Sequence, residues 1–180
     1  LQTQDHPQFK TYAEELKWLT TDKNRMKWVA NTIKDISSSG NTLILVDRIS
    51  AGEILEEQIE NAVFVSGSTK NTDRKEQYDE ISTATNKIII ATYGVAAVGI
   101  NIPRIFNLVL IEPGKSFVRV IQSIGRGIRK AEDKDSVQIW DITSSCKFAK
   151  RHLGARKKFY KEANYPYNIE KINYENPYTG

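Results

Sequence analysis

The sequence has one cysteine, one methionine and two histidines among 180 residues. The lone thiol, Cys146, excludes an internal disulfide and fits a reducing compartment such as the cytoplasm. With one cysteine, and with His6 and His152 far apart in the chain, a zinc cluster cannot be assembled, and no metal site is expected. No run of about 18 apolar residues occurs, so no membrane partner is expected. The opening LQTQDHPQFK has neither an apolar stretch nor a small-residue cleavage signal, so no signal peptide is expected. It also lacks an initiator methionine, which leads to the expectation of a fragment or a processed chain. A glycine-rich GxxxxGK[ST] loop is missing too, as is an acidic pair after a strand that would suit Mg²⁺. A chain without them is not expected to hydrolyse a nucleotide unaided.

What is present is a globular composition, 39% hydrophobic and 27% charged, with a net charge of +4. Acidic residues thin out in the second half. Between Lys115 and Lys161 only Glu132, Asp133, Asp135 and Asp141 oppose a crowd of lysines and arginines. A polyanionic partner and a solvated basic helix both account for that imbalance.

Five short apolar runs stand out: TLILVD (42–47), AVFVSG (62–67), KIIIAT (87–92), NLVLIE (107–112) and VQIWDI (137–142). Each is of strand length, rich in Val and Ile, and continuous rather than alternating, as in strands buried on both faces. Helical patterns separate or flank them at 21–36, 50–60, 71–82, 116–130 and 147–163. Strand alternating with helix predicts an α/β fold with a mainly parallel sheet and helices on both faces. The last helix is expected to dock through Phe148, His152, Ala155 and Phe159 and to turn its basic residues outward, with a secondary role on DNA. Trp18, Trp28 and Trp140 read as packing residues rather than stacking platforms. The Tyr-, Asn- and Pro-rich tail reads as a short strand or an irregular cover.

Ligands of parallel sheets gather at the carboxyl ends of the strands. The residues there are DR (47–48), SGSTK (66–70), ATYG (91–94), EPGKS (112–116) and DITSS (141–145). Thr92 offers a hydroxyl and a backbone N–H to a phosphate near a helix start, and Gly99 permits close backbone approach. The stretch QSIGRGIRK (122–130) places Arg126 and Arg129 at i and i+3, able to grip one phosphate together. A surface helix explains those arginines but not Gly125 and Gly127 beside the first of them.

In their order and spacing these blocks resemble the motifs of superfamily 2 helicases. QSIGRGIR resembles motif VI, ATYGVAAVGINIP motif V, and TLILVDRISAGEILEEQI motif IV. The resemblance implies the second of two RecA-like, three-layer domains in a motor. Residues 1–20 would be a lead-in from an upstream domain or linker, 21–145 the RecA-like domain, and 146–180 a basic helix and tail packed on it. It implies that Arg126 and Arg129 are arginine fingers for ATP held with Mg²⁺ mainly by an N-terminal RecA-like domain of the same protein. Gln122 would stand beside them, with Gly99 and Asn101 near the ribose and phosphates. Arg48, Ser68, Thr92, Tyr93 and Gly94 would contact the nucleic-acid backbone. Motif V commonly carries an acidic residue where this chain has Asn101. RNA helicases of the DEAD-box and DEAH-box groups carry an arginine where it has Ser123. The second departure directs the resemblance to the DNA-acting branches. The resemblance itself implies a monomeric DNA helicase or translocase working on branched DNA: junctions, D-loops, R-loops and stalled forks in recombination and repair. The reading from another class is a stand-alone nucleic-acid-binding module. A small-molecule α/β enzyme is disfavoured, because no glycine-rich loop follows the first strand.

Overall fold

A computed structural model describes residues 8–65, 87–97, 105–114, 120–121, 137–163 and 165–170. In chain order the elements are α1 (Tyr12–Thr21), α2 (Lys23–Ser37), β1 (Thr42–Val46), α3 (Ile49–Gln58), β2 (Ala62–Val65), β3 (Ile88–Thr92), α4 (Tyr93–Ala97), β4 (Asn107–Ile111), β5 (Gln138–Ile142) and α5 (Lys147–Glu162).

The five strands form one all-parallel sheet in the order β2-β3-β1-β4-β5. All five expected apolar runs are strands, and α/β is the fold class. The runs overshoot at their polar ends, because Asp47 and Glu112 lie just past β1 and β4.

Alternation along each strand feeds two separate cores. Leu43, Leu45, Ile89, Ala91, Leu108 and Leu110 face one side, with α4, Val120, Ile121 and Tyr160. Ile44, Val46, Ile88, Ile90, Val109 and Ile111 face the other, against Met26, Val29 and Ile33 of α2 and Ala51 and Leu55 of α3. These are the three layers. All three tryptophans pack against buried clusters, as expected.

The segment at 12–21 forms a helix that the sequence pattern did not single out. Ten residues are too few for a helix to persist alone in water. Docking orders it: Leu16 and Leu19 are buried, and Leu19 joins Cys146 and Ala149 in a small third core. Glu15 crosses to the start of α5, where its carboxylate accepts from the Phe148 N–H at 2.9 Å and the Ala149 N–H at 2.7 Å. That satisfies two otherwise orphaned donors and places a negative charge at a helix N-terminus.

The docking stripe of α5 differs from expectation by about one position. Ala149, Leu153, Arg156 and Tyr160 are buried, whereas Ala155 is exposed. The cause is polar: Arg156 turns inward to Asp141 on β5 and rotates the helix away from its apparent apolar face. Residues 165–170 form no regular element. They cover the end of α5, with the Tyr167 ring 6.0 Å from that of Tyr160.

Candidate nucleic-acid interface

The chain changes direction at β1. From β1 it passes over one face through α3 to β2. From β3 it passes over the other face through α4 towards β4. Strands β1 and β3 are neighbours in register, with Val46 opposite Thr92. Adjacent strands whose continuations leave to opposite faces open a crevice at their carboxyl ends, the usual ligand position of such sheets.

Arg48 borders that crevice from β1. It is half-buried, extended at the N-cap of α3, and its side chain caps nothing. One guanidinium nitrogen, Nη2, donates to the Ala13 carbonyl at 3.4 Å, a long contact. A guanidinium has five N–H donors, so most remain for a phosphate.

Thr92 borders the crevice from β3. Its Oγ1 accepts from the Val95 N–H at 3.2 Å, capping α4, and the hydroxyl proton stays available to donate. Gly94 is exposed, and a Cβ there would meet only Thr92 Oγ1, at 3.8 Å. Its main chain therefore lies open to close approach.

Tyr93 behaves differently from its neighbours. Its side chain is buried and its hydroxyl donates to the Ile111 carbonyl at 2.9 Å. Burial, and secondarily the Asp141 carboxylate, push the phenol well above its ordinary range, so it stays protonated. A ligand contact from Tyr93 is left to its main chain; its side chain ties the exit of β3 to the end of β4.

Sequence reasoning missed a buried polar layer beneath this edge. Glu112, just past β4, pairs with Arg25 of α2 and accepts from the Thr143 hydroxyl at 3.1 Å. Glu112 holds a positive φ of 45°. Burial raises its pKa, while the Arg25 charge works against that rise. Asp141 accepts from Arg156 and from the Tyr160 hydroxyl, the latter at 2.8 Å, and Arg156 Nη1 donates to the Pro113 carbonyl at 2.9 Å. Glu112 and Thr143 had been candidates for ligand contact as strand-end polar residues. They are spent instead on fixing the turn at Glu112–Gly114. A signal was available: Asp141 is an acid inside an apolar strand run, and such a residue needs a buried partner.

Ser68, Gly99, Asn101, Gln122, Arg126 and Arg129 lie outside the described residues. Just before Gln122, however, Val120 and Ile121 are buried against the sheet. Among the described residues no cluster of His, Cys, Asp and Glu is placed to hold a metal, and no helix is long and apolar enough to cross a membrane.

Comparison with known proteins fits this arrangement. The helicase conserved C-terminal domain matches residues 24–131. The chain belongs to that family. Among relatives, it is 31% identical to the ATP-dependent DNA helicase uvsW of Enterobacteria phage T4, over 92% of this chain and 36% of that protein. It is 30% identical to putative helicase 22 of a Sulfolobus islandicus filamentous virus, over 74% of this chain and 24% of that one. The helicase C-terminal domain here thus spans about a third or less of the length of these relatives. In fold it is similar to the crystal structure of T4 UvsW, with a TM-score of 0.80 and 22% identity over 96% of this chain and 40% of that one. The C-terminal domain of the DEAD-box protein Dbp5 superposes with a TM-score of 0.55 at 18% identity, over 96% of this chain and 87% of that domain. The RecA-like fold expected from the motifs is therefore the observed one.

Proposed function

We propose that this helicase C-terminal domain is the second motor domain of an ATP-dependent DNA helicase or translocase. The observation that supports the reading is that Arg48 and the Thr92–Gly94 run follow the carboxyl ends of two neighbouring parallel strands, in a chain of this family. A guanidinium, a hydroxyl and an open glycine main chain are what a sugar–phosphate backbone needs, and they read no base. Together with the main chain of Tyr93 and with Ser68 they form the proposed backbone grip.

Arg126 and Arg129 are the proposed arginine fingers. The burial of Val120 and Ile121 supports this, because it anchors the start of their segment on the sheet. Two guanidinium forks and the Gln122 amide suit a phosphate group chemically, with Gly99 and Asn101 beside it. ATP with Mg²⁺, held mainly by an N-terminal RecA-like domain of the same protein, would supply the phosphoryl group that is transferred to water. This domain's part is to neutralise charge that develops there and to make closure of the two domains depend on the nucleotide. A finger of this kind contributes about 10³–10⁵ in rate. The proposed substrate is branched DNA, which the motif resemblance implies and the relationship to a DNA helicase supports. The domain arrangement proposed is a lead-in over 1–20, the motor domain over 21–145 and the appended basic helix and tail over 146–180, working as a monomer in the cytoplasm.

The deciding experiment is DNA-stimulated ATP hydrolysis by this segment, by the longer protein, and by the longer protein carrying Arg129→Lys. The reading requires an inert segment, an active longer protein and a variant reduced at least a thousandfold. Full turnover by the lysine variant would make the arginines ordinary phosphate contacts and favour a binding module.

A further inference from the structure

Helix α5 carries a feature that the crevice does not absorb. Lys147, Lys150, Arg151, Lys158 and Lys161 are all exposed. At about 100° per residue they fall within an arc of about 100° of the helix, opposite the buried Ala149, Leu153, Arg156 and Tyr160. Among the described residues none of the five is in an ion pair with a carboxylate. Lys147 and Arg151 are steadied from below, each 5.6 Å from the Phe148 ring centroid.

Gly154 lies at the centre of this stripe. Glycine in mid-helix weakens the helix and is normally explained by a neighbour that would clash with a Cβ. Here a Cβ would meet nothing within 4 Å, so packing among the described residues does not call for it. A bare position in the middle of five cations is instead suited to something that comes close from outside. The stripe is also held firmly: Arg156, on the inner side, is anchored by two bonds to Asp141 and one to Pro113.

Helix α1 links Arg48 to one flank of α5. The Tyr12 ring stands 4.8 Å from that of His152 and 6.2 Å from that of Phe148, and the adjacent Ala13 carbonyl receives Arg48.

We propose that the outer face of α5 is a second nucleic-acid contact, which tracks the phosphate backbone of a duplex arm while the crevice holds the strand. A 16-residue helix is about 24 Å long, the length of about seven base pairs. A straight, rigid row of cations matches a rigid duplex backbone better than a flexible single strand. The contact extends the proposed role on DNA, but its readout does not depend on ATP turnover.

The test uses the full-length protein without nucleotide and a fluorescent duplex, with affinity measured by anisotropy across a salt series. The variants are Lys150→Gln/Lys158→Gln/Lys161→Gln and, separately, Gly154→Glu, which sets a carboxylate in the stripe at a position with room for it. Unfolding midpoints near that of the parent certify the fold. The triple variant is expected to lose at least tenfold in affinity at low salt and to flatten the slope of log K against log salt by about 2–3. Gly154→Glu is expected to weaken binding in the same direction. Unchanged duplex affinity and slope in both variants overturn the proposal. So does unchanged duplex binding with loss of a cross-link from α5 to the upstream domain, which would make the stripe a protein-docking face. A salt slope unchanged from the parent in both variants, with ATP turnover intact, leaves the motor reading standing without the stripe. A changed slope in a protein without turnover leaves the stripe standing without the motor.

Discussion

Arg156 grips Asp141 through two parallel hydrogen bonds, Nε to Oδ2 at 2.7 Å and Nη2 to Oδ1 at 2.9 Å. The arginine is buried and the carboxylate nearly so, which makes this fork the main polar tie between α5 and the sheet. It sets the rotation of α5 and so decides which residues form the outer cationic stripe. Removing one partner strands the other charge in a dry interior, at a cost of about 3–5 kcal/mol. That is a large share of the 5–15 kcal/mol typical of a whole domain. Arg156→Ala is therefore expected to lower stability by about that amount in urea unfolding. Arg156→Lys, which keeps the charge but not the fork, should recover only part of it. Equal stability of the parent and the alanine variant would show that apolar packing alone holds α5.

The same pair marks the limit of what the sequence makes legible. Strands β1, β3 and β4 are readable because burial on both faces leaves an unbroken run of Ile, Leu and Val, and no tertiary knowledge is needed. Arg48, Thr92 and Gly94 are readable as site residues because they end such runs. The rotational phase of α5 is not readable, since an apolar pattern selects Phe148, His152 and Ala155 and cannot foresee that a strand carboxylate 15 residues away will bury Arg156. Helix α1 is hidden for a related reason: its order comes from docking rather than from its own propensity. The inward turn of Tyr93 depends on a carbonyl 18 residues further on, that of Ile111.

Gly52 offers a test of packing between α3 and β2. A Cβ there would come within 2.1 Å of the half-buried Phe64 ring. Alanine gains about 1 kcal/mol of helix propensity over glycine. Forcing the ring aside typically costs about 1–3 kcal/mol. Gly52→Ala is expected to be destabilising overall, by about 1 kcal/mol, and Phe64→Leu in the same chain should relieve most of the clash. Calorimetric midpoints of the two single variants and the double variant decide it. Additive effects would mean that the ring is not the obstacle.

Cys146 is buried between α1 and α5, and burial pushes its thiol up to about 12 from an ordinary 9.0. The folded chain then holds this proton where the unfolded chain has released it. The corresponding stability is fully present below pH 9 and is lost as pH rises from about 9 through about 12. The thiol should also resist alkylation at pH 8.5 until denaturant is added. Rapid labelling of the native protein, followed by mass spectrometry, would contradict the buried assignment.

Arg25 and Glu112 form the second buried ion pair, joining α2 to the turn past β4. Arg25 bonds Glu112 through Nη2, and its Nε and Nη1 have no hydrogen-bond partner among the described residues, so the buried charge depends heavily on Glu112. Arg25→Met removes the charge that opposes the rise in the Glu112 pKa and leaves burial to raise it further. A carboxyl group raised in the folded state contributes stability at acid pH that is lost as pH climbs from about 4.5 through the folded value. The single variant should therefore fall further behind the parent between acid and neutral pH, reaching a deficit of about 3–5 kcal/mol. Arg25→Met/Glu112→Gln has no carboxylate left to strand, and its deficit should be smaller and flat with pH. Guanidinium unfolding at several pH values measures both trends. If the double variant is as unstable as the single one at neutral pH, the pair matters through packing and not through charge.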